Sequence, residues 1–302
     1  MIKKLWFWVC LGCGLWGSAQ QETQFWLSPY QLNSVNPAMA AIEGSSELIV
    51  HSNSQWTSLD SAPKTFAFSY AQPTKNKLAI GINFITDKVY VEKQTQAFLD
   101  FSYPLQLSAD WHLSLGFKAG GNFYSAATQN LQGSDGIFDP AQRSINTFRF
   151  NVGAGLYLHN KNLWVALSRP RLVNSALDSS EWVQAQDRIH TYFGVGYDWS
   201  FNTTWNIEPS LLAQKVKGLP TVFSYNAAVA FDDKFRVGLS LRSSGELGVT
   251  SLLSISEKWA VGYAFAQPTQ GSLAGLQIRS HEILLKIKLG GSARVAFEKE
   301  EE

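Results

Sequence analysis

The chain has 302 residues, with 25 Lys and Arg against 24 Asp and Glu and a formal net charge of +1, so charge gives no case for a nucleic-acid partner. Charged residues make up 16% and aromatics 13%, with 23 glycines, a balance poorer in charge than soluble domains carry and close to that of membrane barrels. Both cysteines, Cys10 and Cys13, lie in the first stretch, which excludes a disulfide scaffold, a thiolate zinc site and a cysteine nucleophile from the mature chain.

The chain opens on a targeting segment. Lys3 and Lys4 precede an apolar run over residues 5–15, and Gly17-Ser18-Ala19 offers the small residues that a signal peptidase reads. Residues 1–19 therefore read as a signal peptide. Gly12-Cys13 also suggests lipidation, but Cys10 stands where that signal wants Leu or Val. Residues 20–46 are expected to form a periplasmic or plug segment, 47–289 a barrel and 290–302 a periplasmic tail. No later segment reaches the ~20 consecutive apolar residues of a membrane helix.

From Glu47 onward the dominant signal is strict alternation, the period of a strand with two different faces. Over residues 77–85, Leu78, Ile80, Ile82 and Phe84 oppose Lys77, Ala79, Gly81 and Asn83. Over 147–159, Phe148, Phe150, Val152, Ala154, Leu156 and Leu158 oppose Arg149, Asn151, Gly153, Gly155 and Tyr157. Phe235, Val237, Leu239 and Leu241 alternate with Lys234, Arg236, Gly238, Ser240 and Arg242. Trp259, Val261, Tyr263 and Phe265 alternate with Ala260, Gly262 and Ala264. In the last segment Ile283, Leu285, Ile287 and Leu289 oppose Glu282, Lys286 and Lys288. Further segments begin near Glu47, Thr65, Gln94, Trp111, Asn162, Ile189, Thr204, Thr221 and Glu246. The total predicts an all-β transmembrane antiparallel barrel of about 14 strands, an even number as bacterial single-chain barrels require. Long connections alternate with short ones, as outer loops and periplasmic turns do; the tight turn over 242–245 is the exception on the long side. A soluble sandwich would carry Lys, Glu and Thr on its second face, whereas here that face is mostly Gly, Ala, Ser and Asn, which suits a crowded lumen.

Charges at lipid depth on the outer face are costly, so Asp100, Asp198, Glu208, Lys118, Arg149, Arg236, Lys286 and Lys288 are expected to point inward and neutralise one another. The alternative is selection of an ion or of a partner's tail. Catalysis finds no support. The five histidines show no metal spacing, and His281 and Glu282, adjacent on a strand, point to opposite faces and form no dyad. No catalytic, cofactor-binding or metal residue is nominated, and the chain reads as a non-enzyme without cofactors.

A set of short motifs, in order along the mature chain, resembles the PorP/SprF family of type IX secretion proteins from Bacteroidetes. The set is Asn36-Pro37-Ala38, then Gln55-Trp56, Ala62-Pro63, Asp87, Gly262-Tyr263 and His281-Glu282. The resemblance implies an outer-membrane protein without bond-making chemistry. It would support secretion or surface attachment of an adhesin, a role tied to gliding motility, or anchor the periplasmic machinery. Its implied partners are outer-membrane lipid, type IX secretion components and a large secreted surface protein. A different class remains: a channel for hydrophobic small molecules resembling the long-chain fatty-acid transporters, which also open on Asn-Pro-Ala. Residues 20–46 are too few for the hatch of that family.

Within these motifs, Asn36-Pro37-Ala38 reads either as a latch inside the barrel mouth or as a plain capped turn. Gln55, Trp56, Ala62 and Pro63 read as a contact patch for an exported partner or, preferably, as a position in an interfacial aromatic belt. The two longest connections carry Leu131, Ile137 and Phe138 in the first, and Leu172, Val173 and Trp182 in the second. These are apolar exceptions in solvated loops and candidate docking residues.

Overall fold

The computed structural model describes residues 25–57, 62–127, 144–173, 189–270 and 278–290. The expected signal peptide and almost all of the expected tail fall outside these residues, as do Leu131, Ile137, Phe138 and Trp182. Fourteen antiparallel strands form the wall. They are β1 (Ser46–Ser54), β2 (Lys64–Pro73), β3 (Ala79–Val89), β4 (Glu92–Gln106), β5 (His112–Ala126), β6 (Ile145–His159) and β7 (Leu163–Arg169). There follow β8 (His190–Tyr197, resumed at Trp199–Ser200), β9 (Trp205–Val216), β10 (Val222–Phe231), β11 (Phe235–Arg242), β12 (Glu246–Ser254), β13 (Trp259–Pro268) and β14 (Ser280–Leu289).

The break in β8 has a covalent cause. Gly196 pairs with Ser210 and Trp199 with Ile207, one continuous register, but Pro209 of β9 lies between those partners and has no N–H to give the ladder. Each strand pairs with its chain neighbours, and β14 closes the ring on β1, from Ser46 opposite Leu289 to Ser54 opposite His281. Closure removes every sheet edge.

Connections at one end are tight, over 74–78, 107–111, 160–162, 201–204, 232–234 and 255–258, which marks that end as periplasmic. At the other end four are longer, the one over 217–221 has five residues, and two are shorter still. One is the turn over 243–245, and the other is a hairpin that joins β3 to β4 through Tyr90 and Val91, with Tyr90 at φ 54°. Periodicity predicts β3 to stop near Ile85 and β4 to begin near Gln94. It misses the last turn of this hairpin because Thr86, Asp87, Lys88, Lys93, Gln94 and Thr95 are polar on both faces, so no apolar period survives there.

The outward face is apolar. Ile82, Leu99, Phe117, Phe150, Leu239, Tyr263 and Ile283 are all exposed, which suits contact with lipid chains. The inward face is small or polar. Fourteen strands enclose more lumen than wall side chains alone fill, and here the chain fills it with its own N-terminal segment. The main buried cluster lies inside the barrel, where Trp26 and Leu27 of that segment pack on Ile49, Leu252, Ala264, Ala266 and Leu284.

Candidate functional site

Residues 25–45 cross the lumen as three 3-10 turns, Ser28–Tyr30, Leu32–Ser34 and Pro37–Met39. Turns of this kind leave many backbone groups unpaired, and burial makes each of them costly unless the wall supplies a partner. Strands β3, β4, β5, β7 and β14 supply partners for its backbone, and β1, β2 and β6 hold its side chains.

At the first anchor, the carboxylate of Glu282 on β14 is fully buried and accepts hydrogen bonds from the backbone N–H of Trp26 at 2.7 and 2.8 Å and of Leu27 at 3.1 Å. His51 Nε2 of β1 lies 3.2 Å from the same carboxylate, and its Nδ1 meets the side-chain oxygen of Gln31. The guanidinium of Arg242 lies 3.5 Å from the ring centroid of Trp26, a cation–π stack, and pairs with Glu246 at 3.6 Å.

The second anchor is the Asn36-Pro37-Ala38 turn. Asn36 caps it, accepting from the Ala38 N–H at 3.0 Å, and donates to the Leu156 carbonyl of β6 at 3.0 Å. Ser102 of β4 donates to the Ala38 carbonyl at 2.8 Å, Ser168 of β7 to Val35 at 2.9 Å and Lys118 of β5 to Ser34 at 3.2 Å. Lys118, itself buried, also pairs with Asp100 at 3.6 Å. Space for the turn comes from glycines. A Cβ on Gly116 would lie 2.0 Å from the Ala38 nitrogen, and one on Gly155 2.0 Å from Asn36 Oδ1. The turn is capped by Asn36 and seated against the wall.

The third anchor is ionic, at the periplasmic end. Lys286 reaches Glu43 at 2.8 Å and Glu47 at 2.6 Å, and Lys288 reaches Glu43 at 2.6 Å. Burial by itself would raise the Glu43 carboxyl, but the two lysines outweigh it and pull the group down to about 2. Nearby, burial, with Glu208 adding to it and Arg236 opposing, pushes the Tyr30 phenol up to about 12, so it stays neutral.

The segment leaves a chamber on each side. The periplasmic one, about 1020 Å³, is bordered by Glu43, Glu47, Asp198, Glu208, Arg236, Lys286 and Lys288. The outer one, about 800 Å³, is bordered by Trp56, Asp87, Lys118, Arg171, His190 and Arg242. Trp26, Gln31 and Leu32 border both. The charges expected inward are inward, and several are paired there: Arg236 with Glu208 at 2.9 Å, Lys118 with Asp100, and Lys286 with Glu43 and Glu47.

The motif residues fall into three places. Asn36, Pro37 and Ala38 sit in the lumen with Gly262 and Glu282, and a Cβ on Gly262 would touch Leu27 at 3.1 Å. Gln55, Trp56, Pro63 and Asp87 border the outer chamber, where Thr65 donates to Asp87 at 2.6 Å and the Gln55 N–H to the Pro63 carbonyl at 3.0 Å; Ala62 is half-buried beside them. Trp56, at φ 51°, thus borders the chamber, not the lipid belt preferred from sequence. Tyr263 and His281 face outward, the hydroxyl 2.8 Å from Nδ1. Of the docking residues, Leu172 and Val173 are described. Both are exposed side chains, and their N–H groups donate to Asn151 Oδ1 at 3.0 Å, which fixes the start of that loop against β6.

Sequence reasoning missed Trp26, Leu27, Gln31, His51 and Arg242 as parts of the seat. The available signal was a run of inward glycines with no side chain of their own to fill the lumen. Among the described residues, no group of three or more His, Cys, Asp or Glu is placed to hold a metal ion.

The comparisons agree with this geometry. The chain matches the family described as type IX secretion system membrane protein PorP/SprF over residues 17–287. Among solved structures it is similar to a monoaromatic hydrocarbon channel, CymD, at 11% identity and TM-score 0.50, covering 94% of this chain and 97% of that one. It is also similar to the outer membrane protein Omp33 of Acinetobacter baumannii, at 11% identity and TM-score 0.45, covering 81% of this chain and 99% of that one. The toluene transporter TodX of P. putida follows at 9% identity and TM-score 0.49, covering 86% and 94%. Such identities speak to fold alone. No curated protein matches the chain. A closed outer-membrane barrel whose family match spans nearly its whole length belongs to the PorP/SprF family of type IX secretion system membrane proteins.

Proposed function

We propose that the barrel is a non-enzymatic docking scaffold of the type IX system, which supports secretion or surface attachment of a large exported adhesin and holds the periplasmic machinery beneath it. The single observation that carries this reading is the occupied lumen. A segment pinned by Glu282, Asn36 and Glu43 to opposite parts of the wall leaves two separate chambers and puts the binding capacity on two faces. The periplasmic face is a set of tight turns around a charged chamber. The outer face carries the long connections over 127–144 and 170–189, with Leu172 and Val173 at the root of the second. Passage of a hydrophobic small molecule gains no specific support, because both chambers are bordered by charged residues.

The test is surface labelling of the exported adhesin in intact cells. Loss of the protein abolishes display of one adhesin while other type IX cargo is still exported. Shortening the loops over 128–143 and 174–188 reproduces that loss with the barrel folded and abundant. Normal display in the loop-shortened strain overturns outer docking and transfers the contact to the periplasmic turns.

A further inference from the structure

Lys64 at the start of β2 pairs directly with Lys88 of β3, and Lys88 pairs directly with Lys93 of β4. All three side chains are exposed on the outward face of the wall, and none forms an ion pair among the described residues. They belong to one unbroken polar row near the outer end, running His281, Ser54, Lys64, Lys88, Lys93, Ser125 and Asn146 through direct cross-strand partners. One two-residue step below the row, about 7 Å along the strand, Phe66 opens the apolar belt, followed by Phe68, Phe84 and Ala97. The lysines therefore stand where hydrocarbon gives way to headgroups.

Like charges directly opposite one another destabilise a sheet, so three adjacent ammonium groups need an external reason. Edge protection is a common use of lysine on a strand, but a closed barrel has no edge to protect. Mutual neutralisation also fails, because no described carboxylate faces outward at this level: Asp87 and Glu92 point into the lumen and border the outer chamber. The opposite wall repeats the pattern, with Arg169 and Lys215 flanking Thr191. At the periplasmic end Lys234 pairs with Asp232 at 2.5 Å, and the other exposed lysines, Lys75, Lys77, Lys161 and Lys258, sit in turns and not at directly opposed strand positions.

We infer that Lys64, Lys88 and Lys93 form a binding site for the phosphate groups of the outer-leaflet glycolipid. Two strand spacings, about 10 Å, separate the first lysine from the third, a width that holds one phosphate between neighbouring ammonium groups or two across the triad. The lysine stems cover the top of the apolar belt while the ammonium groups reach the headgroup layer.

The experiment titrates lipid A carrying two phosphates into the folded mature protein in neutral detergent micelles. Dephosphorylated lipid A and phosphatidylglycerol serve as comparators, and unboiled gel mobility reports folding. K64Q/K88Q/K93Q is expected to weaken lipid A binding by about tenfold or more, K64R/K88R/K93R to retain it, and K75Q/K77Q, in a periplasmic turn, to leave it unchanged. If the triple variant does not fold, K88Q alone is expected to weaken binding by about threefold. Wild-type affinity in the folded glutamine variant, or equal binding of dephosphorylated lipid A, overturns the site. Equal binding of phosphatidylglycerol overturns its assignment to the glycolipid.

Discussion

Two of the anchors of the N-terminal segment are held by different physics. Around Trp26 and Leu27 the anchor is a buried carboxylate, a stacked guanidinium and an apolar cluster. Around Asn36 to Ala38 it is a set of hydrogen bonds, neutral except for the one from Lys118, and the gaps left by Gly116 and Gly155. The first is strong because one charged group satisfies two backbone donors in a dry site. The second is selective because only this backbone fits the missing Cβ volume.

That contrast can be broken with two reporter cysteines in the mature chain, Ser28→Cys bordering the outer chamber and Met39→Cys bordering the periplasmic one. Both are read by maleimide labelling of the folded barrel. The largest effect is expected from Glu282→Ala, which leaves two buried N–H groups and His51 without their acceptor and should cost about 3–5 kcal/mol of seating. Labelling at position 28 should rise far more than at 39; equal rises would mean that the segment leaves as one rigid body. Gly116→Ala should act in the opposite sense, costing about 1–3 kcal/mol by overpacking and freeing position 39 first. Unchanged labelling at 39 would refute the shape-based seat.

Asn36→Ala removes a cap and one bond to the wall, at about 1–2 kcal/mol, and should again release position 39 more than 28. The smallest effect concerns pH. Glu43 has its folded value depressed to about 2 from an ordinary value of about 4.3. Its contribution is therefore fully present above the ordinary value and lost as pH falls toward the folded one. Reactivity at 39, read here with a dipyridyl disulfide because maleimide does not label thiols in acid, should increase through that acid window, and Glu43→Gln should remove this part of the pH response. A response that survives the substitution would assign it to another carboxyl.

The wall was largely legible in the sequence. Trp259 to Phe265 alternates large with small, and the structure turns those faces outward and inward as the pattern requires, because the pleat fixes a period of two. The β3–β4 hairpin was not legible, since Lys88 and Lys93 lie outside the apolar belt and carry no hydrophobic period. Nor was the facing of β1, where Leu48, Ile49 and Val50 are all apolar. Ile49 turns inward because a dry cluster awaits it beside Leu27 and Leu284.

Strand number, the even count and the facing of most strands follow from the sequence by itself, because each rests on side chains within a few residues of one another. The seat of the N-terminal segment was decided only by the tertiary structure. Trp26 and Glu282 lie 256 residues apart, and Asn36 and Leu156 lie 120 apart. Such partners meet only once β14 has closed on β1 and the lumen exists. Glu282 alternates correctly with Ile283 whether or not anything lies inside, so its inward direction is a local property, while its two donors are a consequence of closure.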